Sequence, residues 1–87
     1  MKVVFLNEAW ENYCYWQTTD KKTLRKINEL IKDIKRSPHD GIGKPEPLKH
    51  ELSGLWSRRI DLEHRLIYAV ESEAIVIIAC RFHYKFK

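Results

Sequence analysis

The chain has 87 residues, 44% of them hydrophobic and 11% aromatic, with only three Gly and three Pro and a net charge of +4. This composition excludes a disordered or low-complexity chain and suits one domain with a single core, burying a little over ~60% of its unfolded surface. The positive balance points to a polyanionic partner, either nucleic acid or an acidic protein that masks the same surface.

In chain order, residues 2–6 read as a short β-branched and aromatic strand, and Asn7 is suited to cap the helix that follows. The apolar run in that strand is too short for a signal-peptide core, and residues 74–80 fall far short of the ~20 a membrane helix needs, so a cytoplasmic protein without membrane contact is expected. Ala9, Trp10, Tyr13, Cys14 and Trp16 recur at helical offsets, predicting an amphipathic helix that stops near Gln17. Thr18-Thr19-Asp20 is a break and offers the next cap. Leu24, Ile27, Leu30, Ile31 and Ile34 form the apolar stripe of a second helix, and lysines and arginines occupy much of its remaining surface. Ser37-Pro38 ends it, because proline disfavours a helical predecessor and has no N–H to donate.

Residues 39–47 read as a Gly- and Pro-rich loop, followed by three strands at 56–60, 66–70 and 74–82 joined by short polar turns. Their close spacing predicts an antiparallel meander, and the apolar run 75–79 suits a central strand. The expected fold is α+β: strand, helix, helix, three strands, with a helical hairpin packed on one face of a twisted antiparallel sheet. Cys14 and Cys80 sit in apolar surroundings without a CxxC pairing and read as reduced core residues.

The chemistry-bearing residues gather in the last half of the chain. Glu46 stands between Pro45 and Pro47, whose rings stiffen the backbone around it, so it is either a positioned general base or an exposed loop carboxylate. Arg58, Arg59 and Arg65 lie on or beside adjacent strands; alternation turns one of the Arg58/Arg59 pair toward the open face of the sheet. They form a phosphate clamp, or are solvated arginines paired with Asp61, Glu63 or Glu71. His83 supplies an imidazole, the side chain suited to passing a proton to a leaving oxygen beside a phosphate, and Tyr84 offers a stacking surface or a donor. Together these match the needs of RNA scission: a base for the 2′-hydroxyl, cations for the phosphorane and an acid for the 5′-oxygen. The alternative for His83 and Tyr84 is a fraying terminus, and for His50 and His64 a surface or hydrogen-bonded core histidine.

Other motifs are incomplete. His50-Glu51 begins like HExxH, but Gly54 stands where the second histidine belongs, so no metal is expected. Gly41-Ile42-Gly43-Lys44 lacks the Ser or Thr and the helix of a phosphate-binding loop. The basic second helix is a solvated face or a surface that tracks the backbone of structured RNA.

The blocks Gly43-Lys44-Pro45-Glu46-Pro47-Leu48-Lys49, Trp56-Ser57-Arg58-Arg59-Ile60, Glu63-His64-Arg65-Leu66 and Cys80-Arg81 with His83-Tyr84 closely resemble the YoeB (Txe) family of toxins, over nearly the whole chain. The resemblance implies the RelE/ParE fold and a type II toxin that is a ribosome-dependent endoribonuclease, cutting mRNA at the ribosomal A site without a cofactor. It implies Glu46 as general base, Arg65 as the cation at the scissile phosphate and His83 as general acid, with Tyr84, Lys49 and Arg59 supporting. It further implies a YefM-type antitoxin partner, contact with ribosomal RNA and mRNA, homodimer formation, and operator binding through the antitoxin complex. Members often finish at the tyrosine equivalent to Tyr84, whereas this chain continues Lys85-Phe86-Lys87, which are expected to extend beside the active site. Two rivals remain at this level: a non-catalytic module that binds nucleic acid or antitoxin, and a gyrase poison of the ParE type.

Overall fold

The computed structural model describes residues 1–83; the expectations for Tyr84 and for residues 85–87 lie outside the described residues. The chain runs β1 (Lys2–Phe5), α1 (Asn7–Thr19), α2 (Lys21–Arg36), β2 (Glu46–Pro47), a single 3-10 turn (His50–Leu52), β3 (Trp56–Arg59), β4 (Arg65–Val70) and β5 (Ala74–Ala79). This is the expected α+β order with one added element, the two-residue strand β2, which pairs Glu46 with Ser57 and Pro47 with Trp56 at the sheet edge. An edge tolerates proline because one side of the strand needs no ladder donor.

α1 begins one residue earlier than the Asn7 cap predicts. Leu6 is still bonded to β5 through its N–H (to the Ile77 carbonyl, 3.0 Å) while its own carbonyl accepts from Trp10 at 2.9 Å, so Leu6 occupies the N-cap position and Asn7 is helical. The expected Asp20 cap is present. Its Oδ1 accepts from the Lys22 and Thr23 amides at 3.1 and 3.2 Å, and its Oδ2 from the Thr23 hydroxyl at 2.9 Å. These bonds, the Thr23 hydroxyl foremost, hold the Asp20 carboxyl below the usual range. The Asp20 N–H also closes α1 on Trp16, so one residue serves both helices. α2 stops at Ser37, whose amide donates to Asp33, directly before Pro38.

The helices bury Ala9, Trp16, Ile27, Leu30 and Ile34 against Ile60, Leu66, Tyr68, Ile75 and Ile77 of the sheet side. The apolar face expected for α1 needs correction. Trp10 is 51% exposed, lying over Tyr13 and edge-on to Phe5, while the polar Asn12 takes a buried place between Ala9 and Trp16. Among the described residues no helix is long and apolar enough to cross a membrane.

The sheet order is β1-β5-β4-β3-β2. β3, β4 and β5 form the predicted antiparallel meander, but β1 lies parallel to β5 from Lys2 opposite Ala74 to Phe5 opposite Ile77. The sheet is therefore mixed rather than wholly antiparallel. Short turns force neighbouring strands to reverse, whereas β1 reaches β5 across the whole chain and is free of that constraint. Between β4 and β5 the register shifts: Ile67 faces Ala79 and Tyr68 faces Ile77, leaving Ile78 as an extra residue in β5.

Candidate active site

Side chains alternate along a strand and directly opposed partners share a face, so the register assigns each candidate residue to a side of the sheet. Leu66, Tyr68 and Ile77 belong to the core against the helices, and Arg58, opposite Leu66, shares that face. Ser57, Arg59, Arg65 and Ile67 therefore point to the other face, and Glu46, opposite Ser57, joins them. Arg59 and Arg65 are direct partners across β3 and β4. Glu46 and Arg59 are exposed and Arg65 is half-buried, with buried Ser57 and Ile67 between them. A carboxylate and two guanidinium groups thus share an open face.

The turn before Arg65 is organised by Asp61, whose Oδ1 accepts from the Glu63 and His64 amides at 2.8 and 2.7 Å. The Arg65 Nη1 donates to the carbonyls of Asp61 and His64 at 3.2 and 3.3 Å, bonds that orient the guanidinium without neutralising it. Among the described residues neither Arg59 nor Arg65 has an ion-pair partner, so the expected alternative of pairing with Asp61, Glu63 or Glu71 is not what this surface contains.

His83 follows β5 through a segment held from two sides. The Cys80 N–H donates to Asn12 Oδ1 at 3.0 Å, and the Cys80 carbonyl accepts from Trp16 Nε1 at 2.9 Å. The Cys80 thiol, pushed up to about 12 by burial, donates to the Ala9 carbonyl at 3.6 Å. Arg81 lies 3.5 Å over the Tyr15 ring and 4.4 Å from the Phe82 ring. The Phe82 carbonyl then accepts from the Arg65 amide at 3.1 Å. That carbonyl belongs to the peptide unit leading into His83, so the exposed His83 is attached beside Arg65 rather than at a free end.

Lys49 is exposed after β2, where Leu48 donates to the Leu55 carbonyl at 2.9 Å. Three non-glycine residues among those described have positive φ: Lys44 (52°), His50 (59°) and Phe82 (68°). Each stands within two residues of Glu46, Lys49 or His83, and such backbone persists only where the surroundings over-determine it.

Arg58 is the residue whose placement sequence reasoning missed. Its side chain is fully buried, and all five of its N–H groups are used: Nε to the Tyr68 hydroxyl (3.2 Å), Nη1 to Asp33 Oδ2 (2.6 Å) and the Ile42 carbonyl (3.0 Å), and Nη2 to the carbonyls of Ser37 (2.7 Å) and Asp40 (2.8 Å). Asp33 also accepts from the Ile42 amide and Arg36, and the Arg58 guanidinium foremost lowers its carboxyl to about 2. Burial raises the Tyr68 hydroxyl above its ordinary range against the opposing pull of Arg58, and that hydroxyl donates to the Pro38 carbonyl at 2.7 Å. Arg58 therefore is no phosphate ligand. It gathers the backbone of residues 37–42 against β3, and Gly43 completes the docking by accepting from the Arg59 amide at 2.7 Å. Glu46 enters the sheet from this loop. Gly41 and Gly43 serve the same packing: a Cβ at Gly41 would lie 2.0 Å from Asp33 Oδ2, and one at Gly43 2.7 Å from Leu30.

A family model described as the YoeB-like toxin of bacterial type II toxin-antitoxin systems matches residues 5–84. The chain belongs to that family. Among its relatives, toxin YoeB of Escherichia coli (strain K12) is 61% identical over 84 residues, covering 97% of this chain and all of the relative. Two solved structures from Staphylococcus aureus, a YoeB dimer and a heterotetrameric YoeB-YefM complex, superpose with TM-scores of 0.91 and 0.90 at 49% identity, each match covering 97% of this chain and 98% of theirs. The expected YoeB-type membership and RelE-like fold both hold.

Proposed function

We propose that this YoeB-family toxin is a ribosome-dependent endoribonuclease that cleaves mRNA at the A site by general acid-base transesterification. The observation that carries the reading is the convergence at one end of the sheet. Glu46, Arg59 and Arg65 share a face by register, and the peptide preceding His83 is bonded to the Arg65 amide.

In the proposed reaction Glu46 takes the proton of the 2′-hydroxyl, and the 2′-oxygen attacks the adjacent phosphorus. Arg65 meets the negative charge of the phosphorane, with Arg59 and Lys49 holding the flanking backbone as guanidinium and ammonium groups suit phosphate oxygens. His83 gives its proton to the 5′-oxygen as the P–O5′ bond breaks. The products are a 2′,3′-cyclic phosphate and a 5′-hydroxyl, and Tyr84 is proposed to support substrate binding. The supporting cations lie on an open sheet face rather than in a pit, which suits a substrate presented by a large partner that supplies the other wall.

The YefM bound in the S. aureus complex supports an antitoxin of that type as the partner of this chain, and the S. aureus dimer supports self-association. The net charge of +4 favours rapid capture by an acidic antitoxin segment as well as by RNA. Operator DNA is assigned to the antitoxin complex.

Primer extension on a defined mRNA in a purified translation system, with and without ribosomes, tests the proposal. New 3′ ends at the A-site codon that require ribosomes are expected. Intact mRNA with trapped DNA-gyrase complexes would replace the reading with the ParE-type activity, and intact mRNA with antitoxin binding alone would leave a binding module.

A further inference from the structure

His64 is used by neither the core nor the proposed chemistry, yet it makes a short and directed bond. Its Nδ1 accepts from the Phe82 amide at 2.7 Å, while the next residue, Arg65, donates its own amide to the Phe82 carbonyl at 3.1 Å. Both polar backbone groups of Phe82 are thus held by consecutive residues of one strand end. Phe82 has φ +68°, a conformation that a bulky side chain avoids unless its surroundings hold it there.

The His64 ring is itself fixed. It meets Trp16 edge-on at 4.9 Å and 79°, and the side chain is 12% exposed with Nε2 at 3.6 Å from Glu63 Oε1. Accepting at Nδ1 requires the neutral tautomer with its proton on Nε2, where Glu63 is placed to favour it. Trp16 also donates to the Cys80 carbonyl, so the same indole steadies both the ring and the segment it receives.

We propose that His64 is a positioning residue for the acid: by accepting the Phe82 N–H it holds the left-handed turn that delivers His83 beside Arg65. The proposal rests on the reading of His83 as general acid. Without the acceptor, the Phe82 amide loses its partner, the backbone relaxes toward extended torsions, and the following imidazole is redirected. Displacement of a catalytic group by about an ångström can cost on the order of 10²-fold in rate.

Two substitutions separate the acceptor from the ring. His64→Phe keeps an aromatic against Trp16 and removes the acceptor; His64→Asn removes the ring and keeps an acceptor near Nδ1. Single-turnover cleavage on programmed ribosomes, at saturating toxin, is expected to fall about 10²-fold in His64→Phe with ribosome affinity unchanged, and to be largely rescued in His64→Asn. In a His83→Ala background His64→Phe is expected to cost nothing further, since it acts through His83. Amide hydrogen exchange at Phe82 gives a readout independent of cleavage: slow in wild type and His64→Asn, fast in His64→Phe. If wild type does not cut, the acid assignment fails, and the exchange pattern still decides whether His64 holds the turn. Full activity in His64→Phe, or equal losses in both variants, overturns the proposal.

Discussion

Replacing Arg58 with Met should be the most destabilising single change on the sheet. The variant retains an unbranched side chain and removes five donors at once, leaving the Asp33 carboxylate, the Tyr68 hydroxyl and the carbonyls of Ser37, Asp40 and Ile42 without the guanidinium. Breaking one partner of a buried ion pair typically costs about 3–5 kcal/mol, because the other charge stays behind. A chain of this length has a total stability of about 4–13 kcal/mol, so the loss is a large share of it. At about 4–8 °C per kcal/mol for a domain of this size, the expected fall in Tm is at least ~12 °C. Thermal and urea unfolding followed by circular dichroism measures it. Arg58→Lys keeps the charge but offers three donors for five acceptors, and should fall between wild type and Met. The double change Arg58→Met with Asp33→Leu should recover part of the loss, since the buried carboxylate goes with its buried partner and the only charge left unpaired is that of the exposed Arg36, but not the part owed to the three loop carbonyls. A Tm for Arg58→Met within a few degrees of wild type would refute the view that this guanidinium secures residues 37–42.

Gly41→Ala should destabilise by more than about 1 kcal/mol, since its φ of +122° is unsuited to alanine and the new Cβ would meet Asp33 Oδ2 at 2.0 Å; denaturant midpoints check it. Asp33 has a folded-state pKa of about 2 against an ordinary 3.8, so its contribution is fully present above about pH 4 and is lost as pH falls toward 2. Asp33→Asn should accordingly be less stable than wild type at pH 7, with the gap closing between pH 4 and pH 2; a gap that widens with acid would reverse the sign of the argument.

Much of the scaffold was legible because its signals are local. The stripe of α2, its stop at Ser37-Pro38 and its start at Asp20 depend on residues a few positions apart. The pairing of β1 with β5 depends on partners more than 70 residues apart and left no local mark. β2 is held by β3 rather than by its own two residues. Arg58 does not belong with the solvated or phosphate-binding arginines, and the alternation carries that distinction: Trp56, Arg58 and Ile60 share a parity, and Trp56 and Ile60 pack with the core. A charge on that face demands a buried partner, and Asp33, flanked by Leu30 and Ile34 on the inward stripe of α2, supplies it. Asn12 repeats the pattern on α1, spaced between Ala9 and Trp16 for a task at Cys80. Buried polar groups of this kind are marked in a sequence by hydrophilic residues that fall on an apolar face, outside any motif block. Glu46, Arg59 and Arg65 stand out in the sequence by residue type and spacing, but their common face follows from the register of β2, β3 and β4 and from nothing shorter.

The most direct test of the central claim is the single-turnover cleavage rate of Glu46→Ala and His83→Ala on programmed ribosomes, with ribosome and antitoxin affinities measured alongside. A positioned acid or base is typically worth about 10²–10⁴ in rate. Each variant should lose cleavage by about that factor while binding ribosome and antitoxin as wild type does. Either variant cutting at the wild-type rate would contradict acid-base catalysis by this pair.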